Sequence, residues 1–265
     1  MNLLFCINQH YLSPFFVTLR SLARFPADYH VYIFHRDLDE KLQQHIQNTF
    51  PEMDFHFLTI QKEDLPYFPT TQRYPLEIYY RLYAAHFLPQ NLDRILYLDA
   101  DTLIIHSLET LYETPLGDHY FAGCTHIRRF LRKMNHLRLG NTKDVPYINT
   151  GVLLINLAKL REVPVAQDIE NFMKRRKHLL LPDQDILSSL YGDHILLLNH
   201  FIYNLSDRIL NIYNIEHPQQ KRDLKWVSEH TVIIHFCGPH KPWQSSYHGR
   251  LKYFYDQLMN ERKNG

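Results

Sequence analysis

Short apolar runs recur along the chain: NLLFCI (2–7), HVYIFH (30–35), DFHFLTI (54–60), RILYLDA (94–100), HYFAGC (119–124), INTGVLLIN (148–156), HILLLN (194–199) and TVIIHF (231–236). Their length and their wealth of branched and aromatic residues predict strands. Helical spacing lies between several of them. In DLDEKLQQHIQNTF, Leu38, Leu42, Ile46 and Phe50 return at about every fourth position and Pro51 stops the pattern. EIYYRLYAAHFLP predicts a second helix that ends at Pro89, just before the run at 94–100. Strands and helices alternating in this way, with strands apolar almost throughout, imply an α/β fold whose mostly parallel central sheet is covered by helices on both faces. Ligands of such sheets bind beyond the carboxyl ends of the strands.

Composition narrows the choice. With 265 residues, 45% of them hydrophobic and only 8 glycines, the chain is globular and long enough for one large α/β domain. Lys and Arg (29) nearly balance Asp and Glu (28), which argues against a general nucleic-acid binder, so any recognition of anions is local. Cys6, Cys124 and Cys237 are odd in number and far apart in apolar surroundings, which fits small buried hydrophobes in a reducing compartment. The first residues lack a basic leader, and no apolar stretch approaches the roughly 20 residues of a membrane span. A cytoplasmic location is expected.

The candidate chemistry begins with ILYLDADTLII (95–105), where Asp99 and Asp101 interrupt an apolar run with only Ala100 between them. In an extended strand these side chains share one face and converge, and a divalent cation would offset their repulsion and desolvation. Ala100 is small enough to let a ligand approach. A bare D-x-D also fits a strand end whose aspartates cap a turn. Three other segments bear on the choice. Asn149, Thr150 and Gly151 form a polar break at the head of an apolar strand, where backbone can approach a ligand and an amide can bond hydroxyls. Pro182 opens a helix in LLLPDQDILSSLY, setting Gln184 between Asp183 and Asp185; acids in a first turn are common for dipole reasons, yet the trio also suits a polyhydroxylated ligand. In TVIIHFCGPHKPW, His235 ends a strand, Gly238 permits a tight turn and Lys241 supplies a point charge suited to phosphate. The basic stretch 125–147 reads as a solvated face or as a lid over the site.

The segments CINQHY, YYRLYAAHFLP, ILYLDADTLI, YINTGVLLINL, PDQDILS and HFCGPHKPW, in this order over residues 2 to 243, resemble glycosyltransferase family 8. That family includes bacterial lipopolysaccharide galactosyl- and glucosyltransferases, stress-protein-like bacterial members and glycogenin. The resemblance implies the nucleotide-sugar-binding GT-A fold, in a catalytic domain over 1–245 followed by a short helical tail over 246–265. It implies a retaining enzyme that moves galactose or glucose from a UDP-sugar to a glycan, glycolipid or glycoprotein acceptor in cell-surface polysaccharide synthesis. Asp99, Asp101 and His235 match the family's metal ligands, and an imidazole beside carboxylates favours Mn²⁺ over Mg²⁺. Gly238 and Lys241 match diphosphate contacts, and Arg81 matches an arginine near the donor sugar and phosphate. Asn149, Asp183 and Gln184 match sugar-binding positions, with Ala100, Thr150 and Gly151 beside them. Cys6, Asn8, His10 and Tyr11 fall in the segment that grips the base and ribose. Asp183 and Gln184 are the implied catalytic pair, steadying a front-face substitution because an amide is a poor nucleophile.

The chain departs from the family where an Asp and an Asn commonly precede the Tyr: here they are Asn8 and His10, and Asn8 still offers a carbonyl to a uracil imide. After YFAGC, Thr125 and His126 stand where some relatives carry an acid. Leu251, Tyr255 and Leu258, with Arg250, Lys252, Arg262 and Lys263 around them, predict an amphipathic helix that packs on the domain or touches a membrane surface. Two rivals use the same residues otherwise. A haloacid-dehalogenase-type phosphatase needs Thr or Val where Leu103 stands and lacks its late G-D-x-x-x-D, since Leu197 takes the last place after Gly192 and Asp193. Against a sugar-nucleotide-binding protein without turnover stands the retention of all three proposed metal ligands together with Asp183 and Gln184.

Overall fold

A computed structural model describes residues 1–71, 74–126, 145–175 and 179–264. The strands are β1 (Asn2–Cys6), β2 (His30–His35), β3 (Asp54–Thr59), β4 (Arg94–Leu98), β5 (Thr102–Ile104), β6 (Phe121–Cys124), β7 (Asn149–Asn156), β8 (Ile195–Leu198) and β9 (Ile233–His235). Seven of them form one sheet in the order β3-β2-β1-β4-β7-β6-β8, and β5 pairs with β9 in a separate ribbon. Only β7 runs against the others in the large sheet. The expected mostly parallel sheet is therefore present.

Alternate side chains of each strand feed opposite cores, as the pleat requires. Leu4, Tyr32, Phe34, Tyr97 and Leu153 enter one cluster, and Leu3, Phe5, Val31, Leu98 and Val152 enter the other. Helices close both faces. The first, α1 (Leu12–Ala23), buries Phe15, Leu19 and Leu22 against β1 and β4. The helix Glu40–Thr49 begins where Asp39 Oδ1 accepts from Leu42 N (2.9 Å), and it turns Ile46 inward as its spacing predicts.

Three elements differ from the sequence reading. The segment after residue 77 is not one helix: α-turns at Glu77–Tyr80 and Ala84–Phe87 flank a 3₁₀ turn at Arg81–Tyr83. Tighter winding there sends the Arg81 side chain inward, where it is 6% exposed. The run 94–105 is two strands. β4 stops at Leu98, Asp99–Asp101 turn, and Thr102 returns both its N–H and its hydroxyl to Asp99 O (3.2 and 2.8 Å). The two carboxylates thus converge through a turn, not through strand alternation. Thr18 of α1 braces this turn from below, its hydroxyl lying 2.9 Å from Ala100 O and 2.7 Å from Thr102 O. Finally, the strand ending at His235 is outside the main sheet: it pairs with β5 so that His235 lies opposite Thr102.

A third cluster surrounds that ribbon. Leu103, Ile234 and Phe236 pack with Leu205, Ile209 and Val227, and with Leu251, Phe254, Tyr255 and Leu258 at the helix Lys252–Asn264. The apolar stripe of the last helix is thereby covered by protein. Among the described residues no helix is long and apolar enough to cross a membrane. The stretch read as a lid falls mostly on 127–144, outside the described residues.

Leu258 is 1% exposed, so Leu258→Ala is expected to lower unfolding free energy by about 2–5 kcal/mol in urea titration, as a cavity in a packed core does. A tail resting loosely on the surface would lose a few tenths.

Candidate functional site

The site lies where the carboxyl ends of β1 and β4 meet the head of β7. Here β6 and β7 slip out of register: Gly123 faces Leu153, but Cys124 faces Asn149, so Thr150 and Gly151 are released from β6. This stretch makes two bonds that build the site. Gly151 O accepts from Asp99 N (2.8 Å), tying the D-A-D turn to β7, and the Thr150 hydroxyl donates to Asp183 Oδ2 on the first turn of the helix Pro182–Tyr191. The glycine is required by crowding: a Cβ at Gly151 would lie 2.1 Å from His235 Cε1 and 2.6 Å from Asp99 Oδ2.

Around the turn, charges alternate. His235 Nε2 is 3.5 Å from Asp99 Oδ2 and 3.2 Å from Asp101 Oδ1. Arg81 reaches from the 3₁₀ turn to Asp99 Oδ1 (3.0 Å), to Asp183 Oδ2 (3.5 Å) and to Thr150 O (2.9 Å), with its guanidinium 4.2 Å above the Tyr97 ring. Tyr97, two residues before Asp99 on the same strand face, donates its hydroxyl to Asp99 Oδ1. Lys241 Nζ contacts Asp101 Oδ2 and also donates to Phe236 O (3.0 Å).

These neighbours set the protonation states. Burial pushes the Asp99 carboxyl up, but Arg81 and His235 outweigh it and hold the group well below the ordinary carboxylate range. Asp101 follows the same pattern: burial opposes, and His235 and Lys241 lower it. Burial alone would lower His235, yet Asp101 and Asp99 raise it to about 10. Asp183 shifts the other way, since burial outweighs Arg81 and raises its carboxyl.

Asp99, Asp101 and His235 each offer one ligand atom, all within 4.8 Å of one another. Their chemistry fits a divalent ion because the imidazole is held in the required orientation. Gly151 N–H can only donate, so the Asn149 atom 3.1 Å away is the amide oxygen. That oxygen also accepts from Asn204 Nδ2 (3.0 Å), which turns Asn204 Oδ1 toward His235 Nδ1 at 2.9 Å. Nδ1 therefore carries a hydrogen, and Nε2 is the nitrogen presented to the carboxylates. Asn204 is fully buried. It escaped the sequence reading because FIYNLSDR carries no periodic or motif signal; Tyr97 was readable from its two-residue offset to Asp99.

The other expected positions divide. Cys6 is partly buried near Arg81 and Asp99, and burial pushes its thiol up. Tyr11 is 41% exposed and senses Lys241 and Asp101 electrostatically. Asn8 is buried and accepts from the N–H of His10, itself exposed, at 3.2 Å. Gln184 is half-buried next to Asp183, whereas Asp185 turns away: it accepts from Leu180 N (2.9 Å), in the chain just before its helix, and from the Tyr147 hydroxyl (2.7 Å). Gly238 is exposed with φ +106°, the left-handed turn expected before Lys241.

Two outcomes test this geometry. Asn204→Leu is expected to weaken divalent-ion binding by about 10–100-fold in calorimetry while the far-UV circular dichroism stays unchanged. In the metal-free protein, the stabilisation from His235 is fully present below its ordinary value of 6.5 and is lost as pH rises toward about 10. Thermal midpoints should therefore decline through that alkaline range, and His235→Gln should flatten the decline.

A profile of Glycosyl transferase family 8 matches residues 2–246. A lipopolysaccharide 1,2-glucosyltransferase of Escherichia coli is 29% identical over 191 residues, 69% of this chain but 54% of the other, so the chain spans about half the length of that relative. General stress protein A of Bacillus subtilis is 21% identical over 260 residues, covering 93% of this chain and 88% of that protein. The crystal structure of the galactosyltransferase LgtC in complex with donor and acceptor sugar analogues superposes with a TM-score of 0.82 at 23% identity, over 98% of this chain and 96% of that one, which establishes the fold as GT-A. With the profile spanning nearly its whole length, the chain belongs to glycosyltransferase family 8.

Proposed function

We propose that this glycosyltransferase moves a hexose, galactose or glucose, from a UDP-sugar to a glycan or glycoconjugate acceptor with retention of anomeric configuration. The observation that carries the proposal is the convergence of Asp99, Asp101 and His235, flanked by Arg81 and Lys241, at the carboxyl ends of the strands. On this reading residues 1–245 are the catalytic unit and 246–265 a tail. The protein works in the cytoplasm, at the inner face of the plasma membrane when its acceptor is a lipid-linked glycan.

Asp99, Asp101 and His235 would hold Mn²⁺ in preference to Mg²⁺, because the imidazole ligand suits the softer ion. When bound, such an ion offsets the charge of a nucleoside diphosphate and favours its departure. The rest falls to the chain. Lys241 already carries a positive charge beside Asp101, and on donor binding its ammonium is positioned for the diphosphate, with Gly238 allowing the backbone to approach. Arg81, paired with Asp99 and Asp183, keeps positive charge beside the place where the donor sugar and phosphate would lie. Asp183, fixed by Thr150 and Arg81, accepts hydrogen bonds from sugar hydroxyls, with Gln184 and Asn149 completing the cradle. As the sugar's bond to phosphate breaks, the acceptor hydroxyl adds on the same face and its proton passes to the departing phosphate oxygen. Asn8, His10 and Tyr11 take the base and ribose.

Release of UDP from UDP-glucose or UDP-galactose in the presence of Mn²⁺ tests the reading, with acceptor mixtures resolved by product mass. A binding protein would show affinity without release, and a phosphatase would ignore both donors. Asp101→Ala is expected to abolish metal-dependent donor binding; an unchanged donor titration would remove the metal assignment. Lys241→Ala should lower kcat by about a hundredfold with a smaller change in KM, as expected for a charge used in the transition state.

A further inference from the structure

The opposite end of the sheet carries a second cluster of ligating side chains. β3 is the outermost strand, and its residues Asp54 and His56 project to one face because they are two apart. Parallel pairing sets His30 of β2 beside Asp54 and Tyr32 beside His56. Asp54 Oδ2 lies 3.0 Å from His30 Nδ1 and 2.9 Å from His56 Nε2. One nitrogen from each imidazole and one oxygen from the carboxylate all fall within 4.8 Å of one another. His30 and Asp54 begin their strands and His56 is the third residue of β3, whereas Asp99 follows the end of β4, so this group is separate from the candidate active site.

Two features leave this cluster incomplete as protein alone. His56 Nε2 is sealed from solvent and, although close to Asp54, is misaligned for a hydrogen bond and has no other partner. A buried ring nitrogen without a partner is costly. His30 has the complementary difficulty: Nδ1 faces Asp54 while Nε2 faces Asp28 Oδ2 at 3.4 Å. A neutral imidazole carries one hydrogen, so it can donate to only one of those carboxylates, and its lone pair meets the other. A second positive centre, a proton or a metal ion, resolves the conflict. A metal ion does so for both histidines at once, with Asp28 beside Nε2–H and the Nδ1 lone pair free to coordinate.

We infer that His30, Asp54 and His56 form a divalent transition-metal site of the zinc class, oriented by Asp28 and fastening the edge strand β3 to β2. Two imidazoles and a carboxylate select Zn²⁺, Co²⁺ or Ni²⁺ over Mg²⁺ and Ca²⁺, and leave a position for water. The shelf is partly built in advance: the His56 ring stacks on Tyr32 at 4.5 Å and 17°, and lies 6.2 Å from the His30 ring at 25°. The His30 hydrogen bond holds Asp54 below its ordinary range, which keeps this ligand ionised. In a tetrahedral site with ligands at about 2.0–2.2 Å, each imidazole nitrogen need move from the Asp54 oxygen by only a few tenths of an ångström beyond the present 3.0 and 2.9 Å.

The test titrates metal-free, full-length protein with Zn²⁺ by calorimetry and with Co²⁺ by visible absorption, comparing wild type, His56→Ala and His30→Gln. Each substitution should remove one zinc equivalent or weaken it at least about tenfold, and abolish the part of the Zn²⁺-induced rise in Tm that wild type shows. Ring ¹⁵N signals of His30 and His56 should shift together as that equivalent is bound. Equal stoichiometry and affinity in all three proteins, or ring signals that do not move under saturating Zn²⁺, would overturn the site and assign any bound zinc to other histidines. The NMR arm uses the wild-type chain, so the result stands even if one variant folds poorly.

Discussion

Everything at the candidate active site follows from the cost of keeping two carboxylates side by side out of water. Asp99 and Asp101 cannot both remain ionised in a buried turn without positive charge on several sides. The fold supplies it from three distant segments: Arg81 from an overwound helical turn, His235 from the end of a two-stranded ribbon and Lys241 from the loop after it. Two of these segments, and the acidic turn itself, have their own anchors. Arg81 is held against Tyr97 and Thr150 O, His235 through Asn204, and the turn itself through Thr18 and Gly151. The charged groups are therefore linked to one another and to the backbone, which favours rigidity over strain.

This connectivity also accounts for local departures from regular structure. The break in the β6–β7 ladder leaves Thr150 O to accept from Arg81. A regular helix through residues 77–87 would have directed Arg81 along a different radius. In both places regular hydrogen bonding yields to the needs of charged groups beside it.

Much of this was readable in advance, for physical reasons. Strands buried on both faces must be apolar at every position, so eight of the nine were visible as runs, and alternation with helices announced a parallel sheet. The ninth, β5, was hidden because ILYLDADTLII reads as one run; nothing local says that the chain reverses at Ala100, since the stabilising hydroxyl belongs to Thr18, far upstream. Motif residues such as Asp101, His235 and Lys241 stood out because charge beside apolar runs is unusual. Asn204 did not, because its role exists only through partners brought close by folding. The histidines of β2 and β3 were equally silent, since register across strands, not spacing along one, assembles them.

The β5–β9 ribbon has a consequence for how the protein comes into being. Lys241 is 140 residues beyond the carboxylate it neutralises, and His235 joins Thr102 only through that ribbon. During synthesis, β1 to β4 emerge and pair long before their counter-charges exist. The growing chain must therefore carry its acidic turn with only Arg81 for company, wetted or protonated, until the ribbon closes over it. Maturation of the site is thus tied to the arrival of residues 233–241.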